Sequence, residues 1–151
     1  MSMYFIENDI NEDNSVCGNI VLLRELADSM VPFFVEQLDI QRPVNIRFIN
    51  DGLNSEMPLA NTANYDFGNN TISVYTTARH PKDIMRSVAH ELVHHKQNCD
   101  GRLEGQIAES DYIQKNAHLR QLEEEAFSRG NLLFRDWEAQ DGNKKKYKKQ
   151  Q

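Results

Sequence analysis

The chain has 151 residues, of which 39% are hydrophobic and 26% charged, and its net charge is −6. This length suits one domain with a single core, and the composition is that of a folded chain rather than a disordered one. The negative charge excludes a nucleic-acid binder that works through a basic body. The 2 cysteines, Cys17 and Cys99, are too few for a disulfide framework and are compatible with a reducing compartment.

The first segment, MSMYFIENDINEDNS, is acidic and polar, and residues 7–15 are predicted to form a loop. It has neither the basic start nor the apolar stretch of a secretion signal. No later segment is apolar over the length of a membrane span. The expected location is therefore the cytoplasm, with no membrane partner. For a chain of phage origin, the host cytoplasm or the virion would be the equivalent location.

Apolar residues recur at helical spacing from Ile20 onward, which predicts a first helix that Pro32 kinks or divides. The stripe comprises Ile20, Leu23, Ala27, Met30, Phe34 and Leu38. Alternating apolar residues within 42–51 predict a half-buried strand. Residues 59–77 predict a hairpin whose strands flank the turn Phe-Gly-Asn-Asn, because asparagine and glycine suit the positive φ angles of such a turn.

Two longer helices are predicted after the hairpin. Pro81 begins the first of them, which runs to about Asn98 and stops before Gly101. After a loop over 99–110, a last helix covers about 111–138. Strands followed by helices favour an α+β fold with a small antiparallel or mixed sheet over a wound parallel sheet.

The first of these two helices contains His90-Glu91-x-x-His94, the pentapeptide of zinc peptidases. His90 and His94 are four residues apart, so both imidazoles lie on one face and can reach one ion. Glu91 lies beside them, placed to take a proton from a zinc-bound water, whose pKa falls from about 16 to about 7. The motif predicts one Zn²⁺ per chain and Glu91 as the catalytic base. His95 points about 100° away from His94, so it is expected at the surface or in a substrate cleft.

A catalytic zinc site needs a third protein ligand, and the last helix offers carboxylates. Glu125 adjoins the predicted buried stripe of that helix at Ala126, whereas Glu123 and Glu124 are expected to turn away from it. A rotation of the helix by one residue would make Glu124 the ligand instead. The plain alternative is that all three glutamates form a solvated face. Gly130 is expected to let this helix approach a neighbour closely.

Two further residues compete for the role of third ligand. Asp100 occupies the position of the last ligand in the extended motif of metzincins, but Gln97 stands where that motif has a glycine. Every methionine lies upstream, so the methionine turn of metzincins has no counterpart. His118, on the last helix, would complete a three-histidine site.

The chain resembles the gluzincins, the HExxH peptidases whose third ligand is a glutamate on a later helix. The segment AHELVHH (89–95), followed by EEEAFSR (123–129), is similar to thermolysin-type enzymes and to small domains of the ImmA/IrrE type. The resemblance covers residues 42–137. It implies a zincin-like domain, in which a small sheet packs on the HExxH helix and on a second, ligand-bearing helix. Gluzincins often orient a ligating histidine with an aspartate four residues after the ligand glutamate; that position holds Arg129 here.

Matched to this family, His90, His94 and Glu125 become the zinc ligands. The implied function is a metallopeptidase that hydrolyses peptide bonds with zinc-activated water, with Glu91 as general base. In zincins the strand beside the active helix pairs with extended substrate, which makes 59–65 the candidate edge.

A transition-state oxyanion needs a hydrogen-bond donor besides zinc. Tyr112 is the favoured residue because it lies between the two ligand segments, with His95 and His118 as alternatives.

The alternative function is a catalytically silent zincin-fold module that binds or regulates a partner, or a structural component of a viral or cellular assembly. Peptide deformylase also uses HExxH, but neither Cys17 nor Cys99 lies in the sequence context of its cysteine ligand. The domain is predicted over 1–140 and a basic tail over 141–151. The lysines of that tail suit an acidic partner or nucleic acid, in addition to the peptide or protein substrate.

Overall fold

The computed structural model describes residues 2–8, 20–50, 62–103, 112–140, 142, 143 and 147. Within these ranges the elements in chain order are β1 Tyr4–Asn8, α1 Ile20–Leu38, β2 Val44–Ile49, β3 Ala63–Asp66, β4 Thr71–Tyr75, α2 Pro81–Cys99 and α3 Tyr112–Glu138. Most of the loop predicted over 7–15 lies outside the described residues, as does the part of the loop predicted over 99–110 that follows residue 103.

The strands form one mixed sheet in the order β1-β2-β4-β3. β1, β2 and β4 run parallel, and β3 pairs antiparallel with β4, with Ala63 opposite Val74 and Asp66 opposite Thr71. Asn70 has a φ of 51° in the turn between β3 and β4, as expected for an asparagine in a tight hairpin. The predicted hairpin and the α+β class are confirmed, and among the described strands β3 forms an edge of the sheet.

Strand β1 was not expected, because the acidic start of the chain indicated a loop from residue 7. Tyr4 and Ile6 pack against the core, whereas Phe5 is 53% exposed, so the strand alternates over very few residues. The strand is held in place by backbone pairing with β2, in which Tyr4 lies opposite Val44. A five-residue strand of this kind is decided by a pairing distant in sequence, which local periodicity does not contain.

Helix α1 confirms the predicted apolar stripe, whose buried members are Leu23, Ala27, Met30, Phe34 and Leu38. Pro32 lies inside α1, and the helix runs without a break from Ile20 to Leu38. Of the two expected effects, a kink or a division, the division therefore does not occur. The proline ring is exposed. The hydrogen bond that proline cannot donate therefore lies on the solvent side of the helix, where its loss is tolerated best.

Helix α2 is the centre of the domain, because it packs against α1, β3, β4 and α3. Pro81 is its first residue, and the backbone N–H of Lys82 donates to Nδ1 of the capping residue His80 at 3.0 Å. The helix ends before Gly101, whose φ is 77°. Its buried residues include polar ones: Glu91, His94, His95, Gln97 and Asn98. Each of these side chains needs a partner inside the fold or a task in the site.

The end of the described chain returns to the domain. The ring of Tyr147 packs against His80 and Trp137, and its hydroxyl donates to Glu138 Oε2 at 2.9 Å. Asn143 is buried and donates from Nδ2 to the carbonyl oxygen of Trp137 at 2.6 Å. The lysines of the predicted tail lie outside the described residues. No helix in the described ranges has the length and apolar character needed to cross a membrane.

Candidate metal centre

Two imidazoles and one carboxylate meet between α2 and α3. His90 Nε2 lies 3.2 Å from Glu123 Oε2, and His94 Nε2 lies 3.0 Å from Glu123 Oε1. The three ligand atoms lie within 4.8 Å of one another. Across the residues that the structure describes, this is the group of histidine, cysteine and acidic side chains whose geometry suits a metal ion.

The spacing and chemistry of these atoms fit zinc. Nitrogen and oxygen ligands at about 2.0–2.2 Å from zinc in a tetrahedral arrangement are about 3.4 Å from one another. The two separations between imidazole nitrogen and carboxylate oxygen, 3.2 and 3.0 Å, lie close to this value. Two histidines and one glutamate are also a donor set of catalytic zinc, which leaves a fourth position for water or substrate.

The protonation of His94 adds an electrostatic reason for a cation. Its Nδ1 donates to Oε1 of the buried Gln97 at 2.8 Å. A neutral His94 then presents a lone pair at Nε2, directly toward an oxygen of Glu123. Two acceptors 3.0 Å apart repel each other unless a positive charge lies between them. An imidazolium proton or a bound metal ion would supply that charge.

Glu125, the expected third ligand, does not lie at the histidines. Its carboxylate accepts hydrogen bonds from Arg102 Nη1 at 2.8 and 2.9 Å and from Gln97 Nε2 at 3.3 Å. The Arg102 guanidinium holds the pKa of Glu125 below its usual range. The expected rotation of the last helix was therefore wrong, because Glu123 faces α2 and Glu125 faces the loop after α2.

Gly130 explains this rotation. A Cβ at this position would lie 3.3 Å from Cα of His90 and 3.5 Å from the carbonyl oxygen of Ala89, so the backbones of α2 and α3 nearly touch here. The predicted close approach at Gly130 is confirmed. Glu123 precedes Gly130 by two turns and lies within about 20° of it, whereas Glu125 is about 140° away. The glycine was the signal from which the carboxylate that faces α2 could have been chosen.

Replacing Gly130 by valine is expected to force α2 and α3 apart at His90. Overpacking of a tight contact costs about 1–3 kcal/mol, and zinc affinity should fall as Glu123 moves away from the histidines. Valine has a higher helix propensity than glycine, so a loss of stability cannot come from the helix itself. Chemical denaturation and zinc titration measure both effects. Wild-type values for both quantities would show that the two helices do not depend on this contact.

The other candidate ligands have separate roles. Asp100 follows α2 and pairs with Lys96 at 3.1 Å. His118 donates from Nε2 to the carbonyl oxygen of Arg102 at 2.9 Å. Tyr112 is the first residue of α3, but its side chain is outside the described part of the structure. Its role as an oxyanion donor therefore stays a prediction.

His95 is a core residue, and its expected place at the surface or in the cleft was wrong. It is 0% exposed, donates from Nε2 to the carbonyl oxygen of Arg42 at 2.7 Å, and accepts at Nδ1 from the Tyr65 hydroxyl at 2.6 Å. Burial lowers its pKa. Asn98 donates to the same Tyr65 hydroxyl at 2.9 Å. These contacts hold α2 against the sheet. Cys99, near the end of α2, also packs against the core.

Glu91 lines the same cleft as the three ligand candidates and is 8% exposed. Burial raises the pKa of Glu91 to about 7; His94 opposes this shift, and the carboxylate of Glu123 adds to it. Among the described residues, none hydrogen-bonds to its carboxyl group. A buried carboxyl group of this kind is unusual, and it is available to a molecule in the cleft.

The cleft has a volume of about 670 Å³. α2 forms its floor, α3 one wall, and β3 with the following turn the other wall. From α3 the wall residues are Leu119, Leu122, Glu123, Ala126, Phe127, Gly130 and Asn131. The cleft therefore lies between the edge of the sheet and the helix that carries Glu123.

Strand β3 has backbone groups at the edge of this cleft that bond to no other residue in the described part of the chain. The backbone N–H of Tyr75 donates to the carbonyl oxygen of Thr62 at 3.0 Å, so the backbone groups of Thr62 and Asn64 face β4. By the alternation of an antiparallel pair, those of Ala63 and Tyr65 face away from it. Residues 63–65 belong to the segment that was predicted as the substrate edge, and they line the cleft.

The site thus unites His90, Glu91 and His94 from the motif with Glu123, which sequence reasoning had turned away from α2. Its interpretation depends on these atoms and their surroundings. Comparisons with protein-family models, with curated proteins and with solved structures find no match to this chain.

Proposed function

We propose that this protein is a zinc metallopeptidase, a minimal zincin-like domain that hydrolyses peptide bonds in the cleft between α2 and α3. The observation that carries the proposal is the convergence of His90, His94 and Glu123 beside the buried carboxyl group of Glu91. The proposed ligand set differs from the one implied by the gluzincin resemblance, because Glu123 replaces Glu125.

The zinc ligands in this proposal are Nε2 of His90, Nε2 of His94 and the carboxylate of Glu123. When bound, zinc would act as a Lewis acid that polarises a water molecule and the carbonyl group of the substrate. Three protein ligands would leave a coordination position for water or substrate. His94 offers its lone pair at Nε2 because its proton is committed to Gln97 at Nδ1.

Glu91 moves the proton in this mechanism. It takes a proton from the attacking water and delivers it to the amine that leaves after the bond breaks. Its burial on the cleft floor excludes bulk solvent from the carboxyl group, and a cation beside it would keep it ionised before the reaction.

An extended peptide is the substrate form that the cleft suits best. Ala63 and Tyr65 offer backbone N–H and C=O groups along the open side of β3, where a peptide can add as a further strand. The volume of about 670 Å³ suits several residues of one chain rather than a folded domain. β3 would thus fix the direction of the peptide and hold one of its carbonyl groups near the histidines.

Metal removal and restoration test this proposal. The purified protein is expected to contain about one zinc per chain and to cleave casein or members of a peptide library. After dialysis against a chelator, hydrolysis should fall at least about a hundredfold, because zinc supplies several kcal/mol of transition-state stabilisation. One equivalent of Zn²⁺ should restore it in wild type but not in His94→Ala. Zinc binding without turnover would make the chain a binding module, and a chain that binds no zinc would reject the metal centre.

A further inference from the structure

We infer that Gln97, Glu125 and Arg102 form a positioning assembly that fixes the tautomer and the ring orientation of His94. The inference rests on the proposed function, because it concerns one of the proposed zinc ligands. Its starting point is that Gln97 is fully buried and that its side-chain amide contacts both His94 and the helix that carries Glu123.

The surroundings of Gln97 determine which way its amide points. Nε2 donates to the carbonyl oxygen of Leu122 at 3.0 Å and to Glu125 Oε1 at 3.3 Å. A flipped amide would place its oxygen against these two acceptors. The amide oxygen therefore faces His94 and accepts from Nδ1 at 2.8 Å. Because an amide oxygen cannot donate, Nδ1 of His94 carries a proton, and the neutral ring then has its lone pair at Nε2.

Arg102 holds the carboxylate of Glu125 in the place where Gln97 contacts it. Its guanidinium contacts both oxygens of Glu125, at 2.8 and 2.9 Å. The backbone of Arg102 is itself held: its N–H donates to the carbonyl oxygen of Gln97 at 2.9 Å, and its carbonyl oxygen accepts from His118. Glu125 thus stays at a fixed place as an acceptor for Gln97. Glu125, which the sequence analysis assigned as a zinc ligand, is instead linked to His94 by two hydrogen bonds through Gln97.

Gluzincins often orient a zinc-binding histidine with an aspartate, and the corresponding position holds Arg129 here. In this chain Gln97, Glu125 and Arg102 would orient His94 instead. A histidine ligand that donates a hydrogen bond from its second ring nitrogen to a fixed acceptor is a better base, and its ring is held in place. His90 has no such partner for Nδ1 among the described residues. His94 is therefore the preorganised ligand of the pair, and His90 is the one that the metal itself must hold in place.

The first experiment determines the tautomer of neutral His94 in the metal-free protein by ¹⁵N NMR of the histidine rings, recorded at a pH high enough that the doubly protonated ring is absent. Wild type is expected to carry the proton at Nδ1. Gln97→Leu conserves most of the volume but cannot accept this proton, so its His94 should lose the preference. Zinc affinity, measured by competition with a chelating indicator, should fall about 10- to 100-fold, the usual effect of removing such a partner. Gln121→Leu, an exposed change on α3, should leave both unchanged.

A wild-type His94 with its proton at Nε2 would overturn the inference, as would a folded Gln97→Leu protein with wild-type zinc affinity. If Gln97→Leu does not fold, Glu125→Ala takes its place, because the Glu125 side chain is 29% exposed and its removal leaves the core filled. In Glu125→Ala, His94 is expected to populate both tautomers, and zinc affinity should fall several-fold. A Glu125→Ala protein with the wild-type tautomer and zinc affinity would show that Glu125 and Arg102 do not position His94. The tautomer is measured without metal, so a wild-type protein that binds no zinc rejects the proposed function while the NMR result still decides the role of Gln97.

Discussion

Replacing Glu91 by glutamine is expected to abolish most peptide hydrolysis while the protein still binds one zinc per chain. The amide has nearly the same shape as the carboxyl group but cannot accept a proton from water. Loss of a general base typically costs about 10²- to 10⁴-fold in rate. The cleft, the ligands and β3 are unchanged by this substitution, so substrate binding should persist. The measurement is kcat on a peptide-library substrate, with zinc content determined on the same sample.

The matched control for this experiment is Glu124→Gln. It makes the same change of charge at an exposed position of α3, next to the proposed ligand. Its activity and zinc content should equal those of wild type. If Glu91→Gln cleaves its substrate as fast as wild type, Glu91 is not the base, and the proton must move through another group in the cleft.

Glu91→Gln is also expected to stabilise the metal-free protein against unfolding. The pKa of Glu91 rises from 4.5 to about 7 on folding, so the folded state binds a proton more tightly than the unfolded state. The contribution of Glu91 to stability is then fully present below pH 4.5 and is lost as the pH rises to about 7. Glutamine carries no charge at any pH. The free energy of unfolding of Glu91→Gln should therefore exceed that of wild type by an amount that grows from pH 5 to pH 8. Urea unfolding with a chelator present measures this difference. A difference that does not change with pH would show that it does not come from the ionisation of Glu91.

Local patterns predicted the elements whose periodicity is long and regular. The stripe of α1, the turn around Asn70 and the start of α2 at Pro81 each depend on neighbours in sequence, and the structure confirms them. β1 depends on a pairing with β2 and was missed for that reason. His95 was misplaced because a helix pattern shows which residues share a face but not which faces are covered. In α2 the sheet covers the face that carries His95.

The choice between neighbouring carboxylates on α3 was the hardest step, because one residue changes the direction of a side chain by about 100°. The burial of Leu122 and Ala126 restricts the inner face of the helix to a broad arc that contains more than one glutamate. The contact between Gly130 and the backbone of His90 narrows that arc. A glycine in a helix costs about 1 kcal/mol relative to alanine, and such a residue often marks a close approach.

Glu123→Ala is expected to remove most of the bound zinc, whereas Glu124→Ala is expected to leave zinc binding unchanged. Both variants lose one negative charge and gain the same helix former, so only the position of the carboxylate differs. Glu123 contacts both imidazoles, at 3.2 and 3.0 Å, and Glu124 is exposed. Loss of one of three protein ligands should lower zinc affinity by more than the roughly 10- to 100-fold that is lost when a residue supporting a ligand is changed. Zinc titration and elemental analysis measure the difference.

Glu125→Ala and Asp100→Ala complete the comparison, since both carboxylates were candidates on sequence grounds. Glu125→Ala should have an intermediate effect, because its carboxylate supports Gln97 and does not face the histidines. Asp100→Ala should affect only the pair with Lys96. If Glu125→Ala strips the metal and Glu123→Ala does not, α3 binds zinc in the rotation that the gluzincin resemblance implied. Loss of the metal only in Asp100→Ala would move the third ligand to the loop after α2, and the convergence of Glu123 with the histidines would then be an ordinary ion pair.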